Sequence, residues 1–177
     1  MTELPSLRET VDSHGLMAKK ALGQNFLLDQ NITDKIIRSS LAARGTEDFS
    51  QEDVFEIGPG PGGLTRAVLK ANPHSLTVVE MDERCIEIMR ELQAVYGEKL
   101  NIVNGDAMKF DFGQPSAQRK SVVSNLPYNI SVPLLIVFLK QMRQFNSLTL
   151  MFQKEVAERI LAEPDNKNYG RISVLSQ

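Results

Sequence analysis

Short strand-like runs alternate with helical segments along most of this chain, and no other feature of the sequence limits the possible fold as much. The runs are rich in β-branched and aromatic residues, and the segments between them repeat apolar residues at helical spacing. The predicted strands are 53–57, 75–80, 100–104, 120–124 and 148–152, and the predicted helices are 63–70, 83–96, 132–142 and 154–162. Such an order is typical of an α/β domain in which helices cover both faces of a mostly parallel sheet.

The two ends of the chain fit this alternation less well. Residues 1–17 have no sustained periodicity, so we predict a flexible arm there, followed by a single domain over residues 18–177. Apolar residues from Ile32 to Leu41 predict a helix with Asn31 or Thr33 as its cap and Gly45 as its stop. Residues 171–177 look like a strand. Because an unfinished strand would leave an exposed sheet edge, we expect an incomplete domain that continues beyond Gln177.

Size and composition narrow the class of protein. A chain of 177 residues, 42% of them hydrophobic, can bury one core. Its longest apolar run, 134–139, is far shorter than the roughly 20 residues of a membrane helix, so we expect a soluble cytoplasmic protein. The only cysteine is Cys85 and the only histidines are His14 and His74, so neither a disulfide nor a metal site is predicted.

The charge does not favour a nucleic-acid-binding protein. The net charge is −2, whereas proteins that bind nucleic acids usually carry a basic excess that neutralises phosphates. The pairs Lys19-Lys20 and Arg119-Lys120 could contact phosphate, although such short pairs are usually only solvated surface.

A glycine-rich turn follows the first predicted strand. The sequence Gly58-Pro59-Gly60-Pro61-Gly62-Gly63 has the spacing GxGxxG and leads into a helix. Glycine allows sharp turns and close approach to a ligand, and the helix start offers free N–H groups. Glu80 ends the next strand, where a carboxylate can accept hydrogen bonds from ribose hydroxyls. These features predict an adenosine-like ligand, and they fit a nicotinamide oxidoreductase as well as a methyltransferase; a purely structural turn is the alternative.

Two further strand ends separate these readings. Asp106 follows the third strand and can accept from an adenine amine, or it can be a plain turn aspartate. The fourth strand leads into Asn125-Leu126-Pro127-Tyr128. An adenine amine is a poor nucleophile because its lone pair is delocalised, so a catalyst must hold it with acceptors that favour a tetrahedral nitrogen.

The Asn125 segment can meet that need. The side-chain oxygen of Asn125 and the backbone carbonyl of Leu126 are suitable acceptors, and Pro127 fixes the turn that directs them. Tyr128 can stack on an extruded base. A strand-ending turn with a core tyrosine is the alternative to this catalytic role.

Seven short motifs in this sequence follow one another in the order found in a known protein family. They are Gln24-Asn25-Phe26-Leu27, Glu56-Ile57-Gly58-Pro59-Gly60, Glu80-Met81-Asp82, Gly105-Asp106-Ala107, Asn125-Leu126-Pro127-Tyr128-Asn129-Ile130-Ser131, Gln153-Lys154-Glu155-Val156 and Tyr169-Gly170-Arg171. In order and spacing the chain resembles the bacterial small-subunit ribosomal RNA adenine dimethyltransferases, the family associated with kasugamycin sensitivity. The resemblance covers residues 18–177.

The resemblance implies a Rossmann-like S-adenosylmethionine-dependent methyltransferase fold without the family's C-terminal helical domain. It implies that the cofactor S-adenosyl-L-methionine contacts Asn25, Leu27, Gly58, Glu80, Asp106 and Asn125, and that residues 125–128 carry catalysis. It further implies that two adjacent adenosines, in a hairpin loop near the 3′ end of small-subunit ribosomal RNA, each receive two methyl groups during ribosome biogenesis. The expected partner of this monomer is the assembling small subunit.

Several alternatives stay open. The chain could be a non-catalytic assembly factor that binds cofactor and RNA, or a DNA adenine methyltransferase, although the latter more often has an acidic first residue and two prolines in the catalytic turn. Glu56 could bind the amino group of the cofactor or connect the arm to the sheet. Arg171 could contact RNA or cap a turn.

Overall fold

The computed structural model describes residues 4–16, 26–114, 116 and 118–177. Five strands form one sheet in the order β3-β2-β1-β4-β5, and all four neighbouring pairs are parallel. The strands are β1 Glu52–Ile57, β2 Ser75–Glu80, β3 Leu100–Asn104, β4 Arg119–Asn125 and β5 Ser147–Met151. The helices are α1 Leu7–Ser13, α2 Gln30–Ala42, α3 Gly63–Lys70, α4 Glu83–Tyr96, α5 Ser131–Lys140, α6 Lys154–Ile160 and α7 Arg171–Ser176. This is the predicted α/β architecture.

Two apolar clusters lie on opposite faces of the sheet. Successive residues of a strand point to opposite faces, and on β1 Val54 belongs to one cluster whereas Phe55 packs against the other. Helices α2, α3 and α4 cover the first face, and α5 covers the second together with Phe110 and Phe112 from the loop after β3. The sheet is therefore buried on both sides, as a parallel sheet requires.

The sequence predictions hold for the centre of the domain. Each predicted strand is confirmed to within one residue at both ends, and the helices predicted over 63–70 and 83–96 have those bounds in the structure. The helix before β1 is also present, but its predicted cap is wrong. Asp29 is the N-cap, since its side chain accepts a hydrogen bond from the backbone N–H of Asn31 at 2.8 Å.

The prediction of a flexible arm over residues 1–17 is wrong for the part that the structure describes. Ser6 and Glu9 form a capping box, in which each side chain accepts from the other residue's backbone N–H. Leu7 and Val11, one helical turn apart, are buried. Two apolar residues at helical spacing were too short a pattern to recognise in the sequence. The predicted start of the domain at residue 18 lies outside the described residues.

The final segment is a helix and not the predicted strand. Its apolar residues resemble a strand, but the backbone N–H of Gly170 donates to Ser173 Oγ at 3.0 Å, which starts α7. Ser173 Oγ donates in turn to the backbone carbonyl of Arg159, so α7 is held against the end of α6. Among the described residues, no helix is long and apolar enough to cross a membrane.

Candidate functional site

The ends of four strands meet at one edge of the sheet. β1 and β4 are neighbours at the point where the strand order reverses, and open α/β sheets bind ligands just outside the carboxyl ends of the strands at such a point. A cavity of about 380 Å³ opens there. Its lining includes Gly58, Glu80, Met81, Asp106, Met108 and Pro127. The structure thus brings together Gly58, Glu80 and Asp106, as the sequence predicted, and places the Asn125 segment beside them.

Glu80 is fixed in orientation at the end of β2. Its Oε1 accepts from the backbone N–H groups of Met81 at 2.7 Å and Asp82 at 2.9 Å. The side chain is largely buried, yet the residue lines the cavity. Two amides therefore hold one carboxylate oxygen, while the other oxygen can accept hydrogen bonds from a ligand.

Asp106 forms the turn that was one of its two predicted roles, and it also reaches the cavity. Its Oδ1 accepts from the backbone N–H of Met108 at 2.9 Å, so it does close a turn. The residue also lines the cavity. Met81 and Met108 flank the cavity with side chains that are 67% and 38% exposed, and they offer apolar, polarizable surface to a flat ring. Sequence reasoning missed both methionines, although each lies within two residues of a strand-ending acid.

The glycine turn is covered by the segment that precedes α2. Gly58, Gly60 and Gly62 all have positive φ. A Cβ atom on Gly60 would lie 2.9 Å from the ring of Phe26, and one on Gly63 would lie 2.1 Å from the backbone carbonyl oxygen of Leu27. These glycines are needed because another part of the chain lies directly on them. The start of α3, where a dinucleotide would place its pyrophosphate, is thus occupied by protein.

A smaller cavity beside the turn contains a buried acid. Its lining includes Leu27, Glu56, Gly58 and Asn125. Burial raises the pKa of Glu56 to about 8, and the charge of nearby Glu80 acts in the same direction. Glu56 Oε2 has no hydrogen-bond partner among the described residues. A buried carboxyl oxygen without a partner is costly, so this cavity favours a ligand with a hydrogen-bond donor, above all a cationic one.

The Asn125 segment forms a tight turn between β4 and α5. The side chain of Leu126 is buried in the second core cluster and anchors the turn. The backbone N–H of Ile130 donates to the carbonyl of Pro127 at 3.1 Å, and Ser131 Oγ donates to the carbonyl of Tyr128 at 3.1 Å. Asn125 and Tyr128 are both partly exposed. Pro127 also contacts the glycine turn, since a Cβ atom on Gly58 would lie 3.0 Å from Pro127 Cγ.

Ser124 separates the ends of β1 and β4, and sequence reasoning missed it. The β1–β4 pairing ends at Phe55 and Val122. Beyond that point, Ser124 Oγ accepts from the backbone N–H of Ile57 at 3.2 Å and donates to its carbonyl at 2.8 Å. A buried side chain therefore replaces the direct strand pairing and holds the two strand ends apart. Gly58 and Asn125, which follow Ile57 and Ser124 in the chain, both line the small cavity at this point. Asn25, also predicted to contact the cofactor, lies outside the described residues.

Solved structures resemble this fold. A dimethyladenosine transferase from Plasmodium falciparum matches with a TM-score of 0.68 and 34% identity, over 83% of this chain and 50% of that one. The 23S rRNA methyltransferase ErmE matches with a TM-score of 0.66 and 26% identity, over 86% of this chain and 55% of that one. The sheet with its crossing helices thus has the Rossmann-like architecture of methyltransferases.

Sequence comparisons give the family. The ribosomal RNA small subunit methyltransferase A of Jannaschia sp. (strain CCS1) is 46% identical over 98% of this chain and 59% of the relative. The protein of the same name from Gluconobacter oxydans (strain 621H) is 49% identical over 98% of this chain and 55% of the relative. The chain therefore spans less than two thirds of the length of these relatives. The family model for ribosomal RNA adenine dimethylase matches residues 15–177, and the chain belongs to that family.

Proposed function

We propose that this chain is the cofactor-binding and catalytic part of an enzyme that transfers methyl groups from S-adenosyl-L-methionine to the exocyclic amines of adenines in ribosomal RNA. The observation that supports this most strongly is the shared edge of β1 and β4, where one cavity is lined by Gly58, by the acids Glu80 and Asp106, and by the turn that follows Asn125. The names of the relatives agree with this activity.

The larger cavity has room for the nucleoside end of the cofactor, whereas the smaller one, of about 20 Å³, has room for one small polar group. Glu80 would accept from the ribose hydroxyls and Asp106 from the adenine amine, between the side chains of Met81 and Met108. The ammonium group of the amino-acid end would enter the smaller cavity, where it gives Glu56 Oε2 the missing donor. When bound, the cofactor supplies a methyl group on a positively charged sulfur, which is an already activated donor.

The Asn125 turn then acts on the acceptor. The side-chain oxygen of Asn125 and the backbone carbonyl of Leu126 accept hydrogen bonds from the adenine amine and favour a tetrahedral nitrogen, whose lone pair can attack the methyl carbon. Tyr128 stacks on the extruded base. Orientation carries most of this catalysis, because the methyl donor is activated and a strong general base is not required.

We further propose the finer activity that the resemblance implies. Two adjacent adenosines in a hairpin loop near the 3′ end of small-subunit ribosomal RNA would each become dimethylated, on the assembling small subunit, by a cytoplasmic monomer. Residues 18–177 would form the catalytic domain. The covering of the glycine turn by Phe26 and Leu27 supports a methyltransferase over a nicotinamide oxidoreductase, because it leaves no room for a pyrophosphate on the start of α3.

Binding and turnover test the proposal separately. Calorimetry with S-adenosylmethionine and with NAD should give heat from the first only, and Glu80→Ala should weaken that binding by about 1–3 kcal/mol. Heat from NAD alone would reject the methyltransferase assignment.

For turnover, mass spectrometry of small-subunit RNA should detect dimethyladenosine after incubation with the chain extended to the full length of its relatives. Asn125→Ala should lower the methylation rate far more than cofactor affinity, because the amide acts mainly in the transition state. Tyr128→Phe is the matched control, since it keeps the stacking ring. Equal losses of rate and affinity in Asn125→Ala would make Asn125 a cofactor-binding residue only.

A further inference from the structure

The amino ends of β4 and β5 carry a third cavity, at the sheet edge opposite the proposed active site. It has a volume of about 450 Å³, and we call it the amino-edge cavity. Its polar lining includes Gln118, Arg119, Lys120, Arg143, Gln144 and Asn146. These residues lie where β4 starts and in the turn before β5. None of them belongs to the cofactor or target sites described above.

Within the described residues, the cations of this cavity have no acidic partners. None of the ion pairs formed within the described residues includes Arg119, Lys120 or Arg143. The nearby acid Asp53 accepts instead from His74 at 2.8 Å and Ser75 at 2.7 Å, as well as from Ser116. The two arginines are exposed, and their five-donor guanidinium groups remain available to an anion.

The Arg119-Lys120 pair differs from its sequence prediction at Lys120. The sequence favoured a solvated surface pair, but Lys120 is buried. Its Nζ donates to the backbone carbonyls of Phe112, at 2.9 Å, and Gln114. Carbonyl oxygens compensate an ammonium group only partly, so a positive charge remains below the two exposed arginines. The local field therefore favours an anion, although the whole chain is slightly acidic.

We propose that the amino-edge cavity binds phosphate groups of the RNA backbone, as a second contact for the RNA whose target base reaches Asn125. This inference rests on the proposed function. β4 connects the two places directly, since Arg119 is its first residue and Asn125 its last. At about 3.3 Å per residue they are roughly 20 Å apart. A base-paired RNA stem of several base pairs is long enough to cover that distance, so one hairpin can reach both places.

Salt-dependent RNA binding tests this site. The probe is a fluorescently labelled RNA hairpin with adenines in its loop, followed by anisotropy between 50 and 200 mM KCl. Log K falls as log salt rises, and each lost phosphate contact makes this slope less steep by about 0.7–0.9. Over this range the wild-type chain should therefore lose roughly tenfold more affinity than the double variant R119Q/R143Q.

The double variant R38Q/R90Q is the matched control. It removes the same charge from exposed positions on α2 and α4 that lie outside all three cavities. Its salt slope should match that of the wild-type chain. Three outcomes would each overturn the proposal. R119Q/R143Q could have the same salt slope as the wild-type chain, both double variants could lose the same part of the slope, or the wild-type chain could show no salt-dependent RNA binding. Calorimetry with S-adenosylmethionine on the same variants reports on the proposed function independently, because both variants keep the cofactor cavities.

Discussion

Two glutamates on β1, Glu52 and Glu56, lie one on each side of Val54. Both are buried, but they differ in their hydrogen-bond partners. Glu52, at the amino end, accepts hydrogen bonds from Arg44 and Ser121. Glu56, at the carboxyl end, has an oxygen without a partner and lines a cavity. One acid is satisfied within the protein, whereas the other is available to a ligand. The same strand therefore contributes stability at one end and a binding site at the other.

The largest effect on stability should come from removing the Glu52 carboxylate. Glu52→Ala leaves the Arg44 guanidinium, which is itself nearly buried, without its carboxylate. Removing one partner of a buried pair costs about 3–5 kcal/mol of unfolding free energy. Urea denaturation measures this loss.

Glu158→Ala provides the control, because it breaks the exposed Lys154–Glu158 pair and should cost less than about 1 kcal/mol. Similar losses of unfolding free energy in the two variants would show that the buried Glu52 pair is worth no more than the exposed Glu158 pair.

At the carboxyl end of β1, Glu56 should make the stability of the chain depend on pH. The pKa of Glu56 is raised to about 8 in the folded chain from an ordinary value of 4.5. The folded chain thus holds a proton that the unfolded chain loses, so stability is greatest below pH 4.5 and falls as the pH rises towards 8. Between pH 5 and 7 the loss should approach about 1.4 kcal/mol per pH unit.

Glu56→Gln should remove this part of the slope, because an amide does not titrate. Urea denaturation of both proteins across the pH range provides the measurement. An unchanged slope in the variant would mean that other groups cause the pH dependence. If the cofactor ammonium binds Glu56, calorimetry in buffers of different ionisation enthalpy should also detect proton release at pH 7 in the wild-type chain and not in the variant.

The smallest of these effects concerns the gap between β1 and β4. Ser124→Ala leaves the buried N–H and carbonyl of Ile57 without their partner, which should cost about 2 kcal/mol of unfolding free energy. Because the strand ends can then move, cofactor affinity should fall as well.

Ser121→Ala is the comparison at the other end of β4, where its hydroxyl contacts Glu52. It should lower stability without changing cofactor affinity. Equal effects of the two serines on affinity would show that the Ser124 bridge has no special part in the site.

The sequence predicted the central sheet well because its strands are buried on both faces and bounded by turns. The strand-ending residues Gly58, Glu80 and Asp106 could be placed at one edge for the same reason, since parallel strands end together. Periodicity failed at the ends of the chain. There α1 and α7 depend on local caps and on contacts with distant elements, such as the hydrogen bond from Ser173 to Arg159.

Contacts between distant parts of the chain also explain what was missed in the site. Nothing in the sequence around Phe26 indicates that its ring lies on Gly60, because that contact joins residues on different elements. The same holds for Ser124, whose hydroxyl reaches Ile57 across the gap. Residue type predicted which groups can react, and only the three-dimensional arrangement shows which groups hold them in place.

The parallel order of the strands has a consequence for folding. Gly58, Glu80, Asp106 and Asn125 each lie at or just after the end of a different strand, and every neighbouring pair of strands needs a long crossover between them. No short segment of the chain can therefore form part of the site by itself; ligand binding requires the assembled sheet. A ligand that binds only the folded chain stabilises it by about 2.7 kcal/mol at one hundred times its Kd. Added S-adenosylmethionine should thus raise the melting temperature of the whole domain, which should still unfold in a single transition.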